Sequence, residues 1–264
     1  MIVLYESAAA QHNQGFIDEL KRFCSIELLT WDDWSKDGLE QLIQRVHGQS
    51  VFYRVRQPHA ARFLEDRGVR LINRAEVNRI ANDKWQCYQF FQVLGLPAIP
   101  TYRSAPPYPY IAKSVDGHGG AEVWLVESQQ DVPAVESPLL YQPVVPHIAD
   151  VRAYVIGKKI VGAVKRSATG SFKANYSLGA SVDRFELTAP QRNDVEKIAK
   201  ALNSDYLGID FLLLEDGRHV FNELEDPVGA RSFYQTHDDN IAELLSQHFT
   251  NLEQNYPFRD SDRN

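Results

Sequence analysis

Residues 205–229 read DYLGIDFLLLEDGRHVFNELEDPVG, an apolar run, a turn, a second run and a knot of acids. The run from Leu207 to Leu214 has strand composition, and Glu215-Asp216-Gly217 is a hairpin turn signal. His219-Val220-Phe221 returns as the partner strand and delivers Asn222, Glu223 and Glu225. In an antiparallel pair this hairpin places Asp210 beside Glu223 and Glu225. Clustered carboxylate oxygens suit a hard cation such as magnesium, so Asp210, Glu223 and Glu225 are candidate metal ligands. The rival reading is an acidic strand end in solvent.

The segment Tyr108-Pro109-Tyr110-Ile111-Ala112-Lys113 reads as a strand ending in a lysine. It runs into Ser114-Val115-Asp116-Gly117-His118-Gly119-Gly120 and then a second strand, Glu122–Val126. A glycine-rich turn between strands frees backbone N–H groups to approach phosphate oxygens, which a strand-borne lysine can neutralise. It is not a P-loop: the Walker spacing is absent and no helix follows. Such a turn alone occurs in many hairpins. Lys113 argues further, because a lone lysine in an apolar strand is costly without an anion.

At 264 residues and 44% apolar, the chain can bury a substantial core. A net charge of −7 excludes a general basic surface for nucleic acid or membrane phosphates. Cys24 and Cys87 form neither a disulfide framework nor a metal spacing, and both sit in apolar helical patterns as buried free thiols. The start MIVLYESAAAQHNQG lacks a basic lead and a long apolar run, so it reads as no signal peptide, and no stretch has membrane-helix length. A soluble cytoplasmic protein is expected, with a flexible tail over 257–264.

In chain order, Met1–Glu6 reads as a strand, Gln14–Phe23 as a helix, Ile26–Trp31 as a strand and Asp37–Val46 as a helix. Ser50–Val55 is a strand, Pro58–Asp66 a helix and Val69–Ile72 a strand. The alternation predicts a small parallel α/β sheet, without the glycine fingerprint of a dinucleotide domain. Arg54 and Arg56 share a face at a strand end, as anionic-substrate contacts or as solvated charge. Residues 73–95 read as two helices meeting at Asn82-Asp83, Asp83 capping the second, with Trp85, Tyr88, Phe91 and Gln92 mostly inward. Leu96–Thr101 is an extended connector. The prolines of PLLYQPVV, 138–145, predict a strand that leaves its sheet as a hinge. Asp150–Ile156 and Lys159–Lys165 form a hairpin with Asp150, Arg152 and Tyr154 on one face. The stretch 166–180, RSATGSFKANYSLGA, reads as a lid or a disordered loop. Amphipathic helices follow at Pro190–Asn203 and Asp238–Phe249.

Five segments in this order resemble the ATP-grasp superfamily, in its branch of RimK-like carboxylate–amine ligases. They are Asn82-Asp83-Lys84; Ile111-Ala112-Lys113 with its glycine loop; Asp150-Val151-Arg152; Lys165-Arg166 with 170–175, GSFKAN; and Gly208-Ile209-Asp210 with 221–225, FNELE. The resemblance covers roughly residues 68–250. It implies an α/β (α+β) fold: a pre-ATP-grasp domain over 1–75, a central subdomain over 76–141 and a C-terminal one over 142–256. It further implies that Lys84 and Lys113 hold ATP phosphates under a flap of Gly117, Gly119 and Gly120. Gln142 would read adenine and Asp150 the ribose. Arg166, Lys173 and Asn175 would form the lid at the γ-phosphate, and Asp210 and Glu223 would hold magnesium. Two positions depart from the family pattern: Glu225 replaces the usual metal-site asparagine, and Lys173 the usual lid arginine, which changes the donor geometry.

The implied activity is ligation: ATP activates a carboxylate as an acyl-phosphate, which a small-molecule or peptide amine attacks. A grasp kinase and a non-catalytic ATP-binding protein stay open as alternatives. His118 and Arg231 are further candidates for substrate, Arg231 lying just past the acidic motif. For Asp150, an ion pair with Arg152 is the rival to ribose binding. A homodimer is compatible with the fold, and nothing in the sequence decides it.

Overall fold

The computed structural model describes residues 1–117, 122–167 and 181–255, which form three sheets. The first unit contains β1 (Ile2–Tyr5), α1 (Ser7–His12), α2 (Gln14–Phe23), β2 (Glu27–Thr30) and α3 (Lys36–Val46), then β3 (Ser50–Tyr53), α4 (Pro58–Glu65) and β4 (Arg70–Ile72). Its strands are parallel in the order β2-β1-β3-β4. Every residue of β1 and β3 is buried, as expected of central strands covered on both faces. The alternation legible in the sequence is therefore realised. Helix α1, for which the sequence reading made no assignment, forms over the alanines that precede α2.

Two helices follow, α5 (Ala75–Ala81) and α6 (Lys84–Val93). Asp83 caps α6 as expected, accepting from Trp85 N at 2.9 Å and Gln86 N at 3.0 Å. Only Cys87 and Phe91 of α6 are buried, and Trp85 and Tyr88 are half-buried, a narrower core face than the spacing suggested. Of the two thiols, Cys87 is buried and Cys24 half-buried.

The second sheet, ordered β6-β5-β7, joins β5 (Tyr110–Ser114), β6 (Val123–Val126) and β7 (Leu139–Pro143). Of the stretch 138–145, β7 pairs with β5 from Ser114↔Leu139 to Tyr110↔Pro143, and the chain leaves the sheet beyond Pro143, with no strand until β8 opens the third sheet at Ala149. Strand β7 is an edge strand, where a proline's missing N–H disturbs no second ladder.

The third sheet contains β8 (Ala149–Ile156), β9 (Lys159–Ser167), β10 (Ser181–Arg184), α7 (Ala189–Leu202), β11 (Tyr206–Leu213) and β12 (His219–Glu225), ordered β10-β9-β8-β11-β12. The chain closes with α8 (Arg231–Tyr234) and α9 (Ile241–Asn255). The two faces of β8 do different things. Val151, Ala153 and Val155 join Ile209, Phe211, Val195 and Ile198 in the core beneath α6 and α7. On the other face Tyr154 and Ile156 pack with Tyr5, Phe52, Phe233 and Phe249, while Asp150 and Arg152 continue that face outward as charge.

A buried polar knot ties the first unit to the third sheet. Asn73 Nδ2 donates to Tyr206 O at 2.6 Å and to Asp226 Oδ1 at 2.8 Å, and its Oδ1 accepts from the N–H groups of Asp205 and Tyr206. Asn78 donates to Asp226 Oδ2 at 2.9 Å, and Asn82 to Asp226 O at 2.8 Å. Burial raises the Asp226 carboxyl, and these amide donors oppose the rise.

Candidate active site

The two antiparallel sheets face each other across a cleft lined by Lys84, Lys113, Gly117, Gln142, Asp150, Arg166, Asp210, Glu223 and Glu225. These candidates come from widely separated segments of the chain, and the fold brings them together. Lys84 stands at the first position of α6, and its Nζ donates to the carbonyl of Gly117 and lies 3.9 Å from Glu223 Oε2. Lys113, 8% exposed on β5, donates to Asn222 Oδ1 at 2.8 Å. Burial pushes the Lys113 ammonium below its ordinary value, and Glu223 partly offsets this. Two amines thus meet where the sheets converge, one of them buried without a salt bridge among the described residues. Gln142, on β7, is buried and donates to Thr101 Oγ1 at 2.9 Å.

The far wall is a ladder of alternating charge across β9, β8, β11 and β12. Arg166 Nε donates to Asp150 Oδ1 at 2.9 Å, and its Nη2 to Asp210 Oδ2 at 2.7 Å. Arg152 grips the same Asp210 with two donors, at 2.7 and 2.6 Å, and reaches Glu225 Oε1 at 2.9 Å. Asp150 thus takes its cation from Arg166 on the neighbouring strand, and Arg152 turns to Asp210 instead. Gly208 beside this pair lets Val228 pack close: a Cβ there would lie 2.8 Å from Val228 Cγ2 and 3.1 Å from Glu225 Cβ. Burial alone would raise the Asp210 carboxyl; Arg152 and Arg166 outweigh it and hold Asp210 at about 2. Asp150 responds in the opposite direction: burial raises it, with Arg166 pulling the other way.

Asp210 stands opposite Glu223, and Gly208 opposite Glu225, because the hairpin register shifts between Asp210 and Phe211; the regular pairing nearer the turn, through Phe211↔Phe221, would set Asp210 opposite Asn222. Their donor chemistry suits a hard cation, but the described residues contain no ready-made group of three or more metal-ligating side chains. Glu223 is the open carboxylate. Asp210, 2% exposed, has both oxygens engaged by guanidinium groups.

Arg56 lies 3.4 Å from both Glu225 Oε2 and Pro227 O. With Arg152, Arg166 and Glu225 it lines the cleft and also a second cavity of about 730 Å³, which Arg54 and Arg231 line as well. His118, Gly119, Gly120, Lys173 and Asn175 lie outside the described residues, as do the rest of the 168–180 lid stretch and the tail. The sequence reading assigned no role to Asn222 or Gly208. Asn222 had a signal, being the residue beside Glu223 on the acid-bearing strand.

A RimK-like ATP-grasp domain model matches residues 81–248. An uncharacterized Mycoplasma genitalium protein, MG011, is 32% identical over 66% of this chain and 65% of its own length. Human N-acetylaspartylglutamate synthase A is 27% identical over 72% of this chain and 55% of its own. The chain thus spans less than two thirds of the length of these relatives. Among solved structures, the ATP-grasp ligase PsnB complexed with precursor peptide PsnA2 and AMPPNP superposes with a TM-score of 0.68 at 16% identity, covering 96% of this chain and 98% of PsnB. D-cycloserine synthetase DcsG gives 0.69 at 17%, covering 95% and 98%.

Proposed function

The chain belongs to the RimK-like ATP-grasp family, and from that premise we propose that it is an ATP- and magnesium-dependent ligase joining a carboxylate to an amine. In this reading residues 1–75, 76–141 and 142–256 are its three units. The observation that carries the proposal is the convergence of Lys84 and Lys113, from two segments, opposite Glu223 and the arginine-laced wall of one cleft. A buried lysine without a salt bridge is costly unless a further anion reaches it, and nucleotide phosphates are that anion. Glu223 and Asp210 would hold magnesium, which neutralises phosphate charge when bound; Asp210 first has to release its arginines. Gln142 and Asp150 are retained as candidate contacts to the base and ribose, and Arg166, Lys173 and Asn175 as lid residues.

In the proposed reaction a carboxylate oxygen of the acyl donor attacks the γ-phosphorus of ATP, and ADP departs with the electron pair of the broken P–O bond. The amine nitrogen then attacks the acyl carbon, the C–O bond to phosphate breaks, phosphate leaves and the amine proton passes to solvent. Arg152 and Arg166 stand at the wall where the reacting carboxylate and its oxyanion would need donors. No protein nucleophile is required.

ADP release from magnesium-ATP, measured across pooled carboxylates with and without pooled amines, tests this reading. ADP dependent on both pools supports ligation. ADP with carboxylates alone and a stable phosphorylated product would replace it with a kinase. Failure to bind ATP would remove the nucleotide site altogether.

A further inference from the structure

Strand β12 carries one residue more than its partner across the hairpin. Phe211 stands opposite Phe221 and its neighbour Asp210 opposite Glu223, so one step along β11 spans two along β12. Asn222 is the residue left over, a β-bulge in the acid-bearing strand. The backbone just before it is clamped: Phe221 N donates to Pro97 O at 2.8 Å, and Phe221 O accepts from Ile99 N at 3.0 Å. The Phe221 ring, 1% exposed, has its centroid 5.3 Å from that of Phe91 and 5.8 Å from that of Phe211, in the core beneath α6 and α7.

Successive side chains of a regular strand point to opposite faces. Phe221 and Leu224 both enter the same core, although an interval of three would set them on opposite faces. The extra residue resolves the conflict, and it leaves two consecutive polar side chains, Asn222 and Glu223, both lining the cleft. Each meets a different lysine. Glu223 Oε2 lies 3.9 Å from Lys84 Nζ, and Asn222 Oδ1 accepts from Lys113 Nζ at 2.8 Å. The second contact crosses the cleft, from β12 in the third sheet to β5 in the second. Among the described residues it is the one hydrogen bond of the Lys113 ammonium, on a side chain 8% exposed.

We propose that Asn222 is a positioning residue that aims the Lys113 ammonium at the nucleotide phosphates without neutralising it. An ammonium has three N–H donors, and an amide oxygen takes one of them while leaving the charge unpaired. A carboxylate at the same point would form a salt bridge that an incoming phosphate would have to break. An apolar side chain would leave the flexible lysine stem to choose its own direction. The bulge supplies the neutral acceptor while keeping Glu223 in the cleft. Asn222 has this role only if Lys113 meets the phosphates, as the ligase reading requires.

The test is a double-mutant cycle on the full chain, read as the Kd for magnesium-AMPPNP by calorimetry, with Asn222→Leu made in wild type and in Lys113→Met. Asn222→Leu keeps the side-chain size and removes the acceptor. Asn222→Ala, which adds no bulk, repeats the cycle if leucine disturbs folding. In wild type the loss of the acceptor is expected to raise Kd about tenfold. In Lys113→Met the same change is expected to move Kd less than twofold, because Asn222 acts through the ammonium. A similar factor in both backgrounds makes the effect independent of Lys113 and overturns the positioning role, as does a change below threefold in wild type. Either result leaves the nucleotide site standing when Lys113→Met alone weakens binding. A Kd that Lys113→Met leaves unmoved removes Lys113 from the phosphates and the role of Asn222 with it. Failure of wild type to bind the nucleotide removes the ligase reading as well.

Discussion

Replacing Asp210 by asparagine is the most direct probe of the charged wall. The side chain is 2% exposed and accepts three guanidinium hydrogen bonds, at 2.7, 2.6 and 2.7 Å. The amide keeps the shape and one acceptor, but its NH₂ would face the Nη2 groups of Arg152 and Arg166, donor against donor. Breaking a buried pair costs about 3–5 kcal/mol. Arg166 retains Asp150 and Arg152 retains Glu225, so the lower end applies, about 3 kcal/mol or roughly a 100-fold loss of local protection. Native-state hydrogen exchange reads this strand by strand, with β8 and β11 reporting and β1 and β3 as internal controls. Protection in β11 unchanged within threefold would refute the ladder as an energetic unit. The pH dependence has a defined sign. The folded carboxyl sits at about 2, below its ordinary 3.8, so its contribution is complete above 3.8 and is lost as pH falls toward 2. The gap between wild type and Asp210→Asn should therefore close across that window.

Lys113→Met should raise the Kd for magnesium-ATP about 30-fold, the loss of a charged hydrogen bond of about 2 kcal/mol; a change below threefold would remove Lys113 from the phosphate site. Because burial lowers the Lys113 pKa in the free protein, part of the population loses the proton below the ordinary 10.5. ATP affinity should then fall with rising pH and binding should take up protons, visible as buffer-dependent calorimetric heats at pH 9; no buffer dependence counts against it. Asn73→Ala strips the bonds that join Tyr206 and Asp226 to the first unit, and should lower Tm by about 6 °C. A drop under 2 °C would mean that water replaces the amide.

Local patterns in the sequence decided most of the architecture. The alternation of strands and helices in the first 72 residues, the Asp83 cap and the hairpin itself follow from neighbours close in the chain, whereas the register shift beside Asp210 that sets it opposite Glu223 does not. The partners of those acids did not follow, because they depend on which strands lie side by side. Asp150 and Arg152 sit two residues apart on one face, which suggests a local pair. The register instead puts Arg166 opposite Asp150 and Asp210 opposite Arg152. The Asn73–Asp226 knot was equally hidden, since asparagines before, within and just after one short helix carry no periodic signal. Residues 138–145 were legible because prolines argue against a central strand, and β7 is an edge that ends at Pro143.

The charged ladder has a consequence for how the third sheet assembles. Its members lie on β8, β9, β11 and β12, and strand pairing places successive residues on opposite faces. A slip of one residue in β11 would turn Asp210 toward the layer that holds Val151, Ala153 and Phe211, and would turn Ile209 toward the arginines. A misregistered sheet would thus bury an unpaired carboxylate in hydrocarbon and strand two guanidinium groups at once. The charged ladder therefore also proofreads strand alignment, penalising one-residue slips while the sheet is being built.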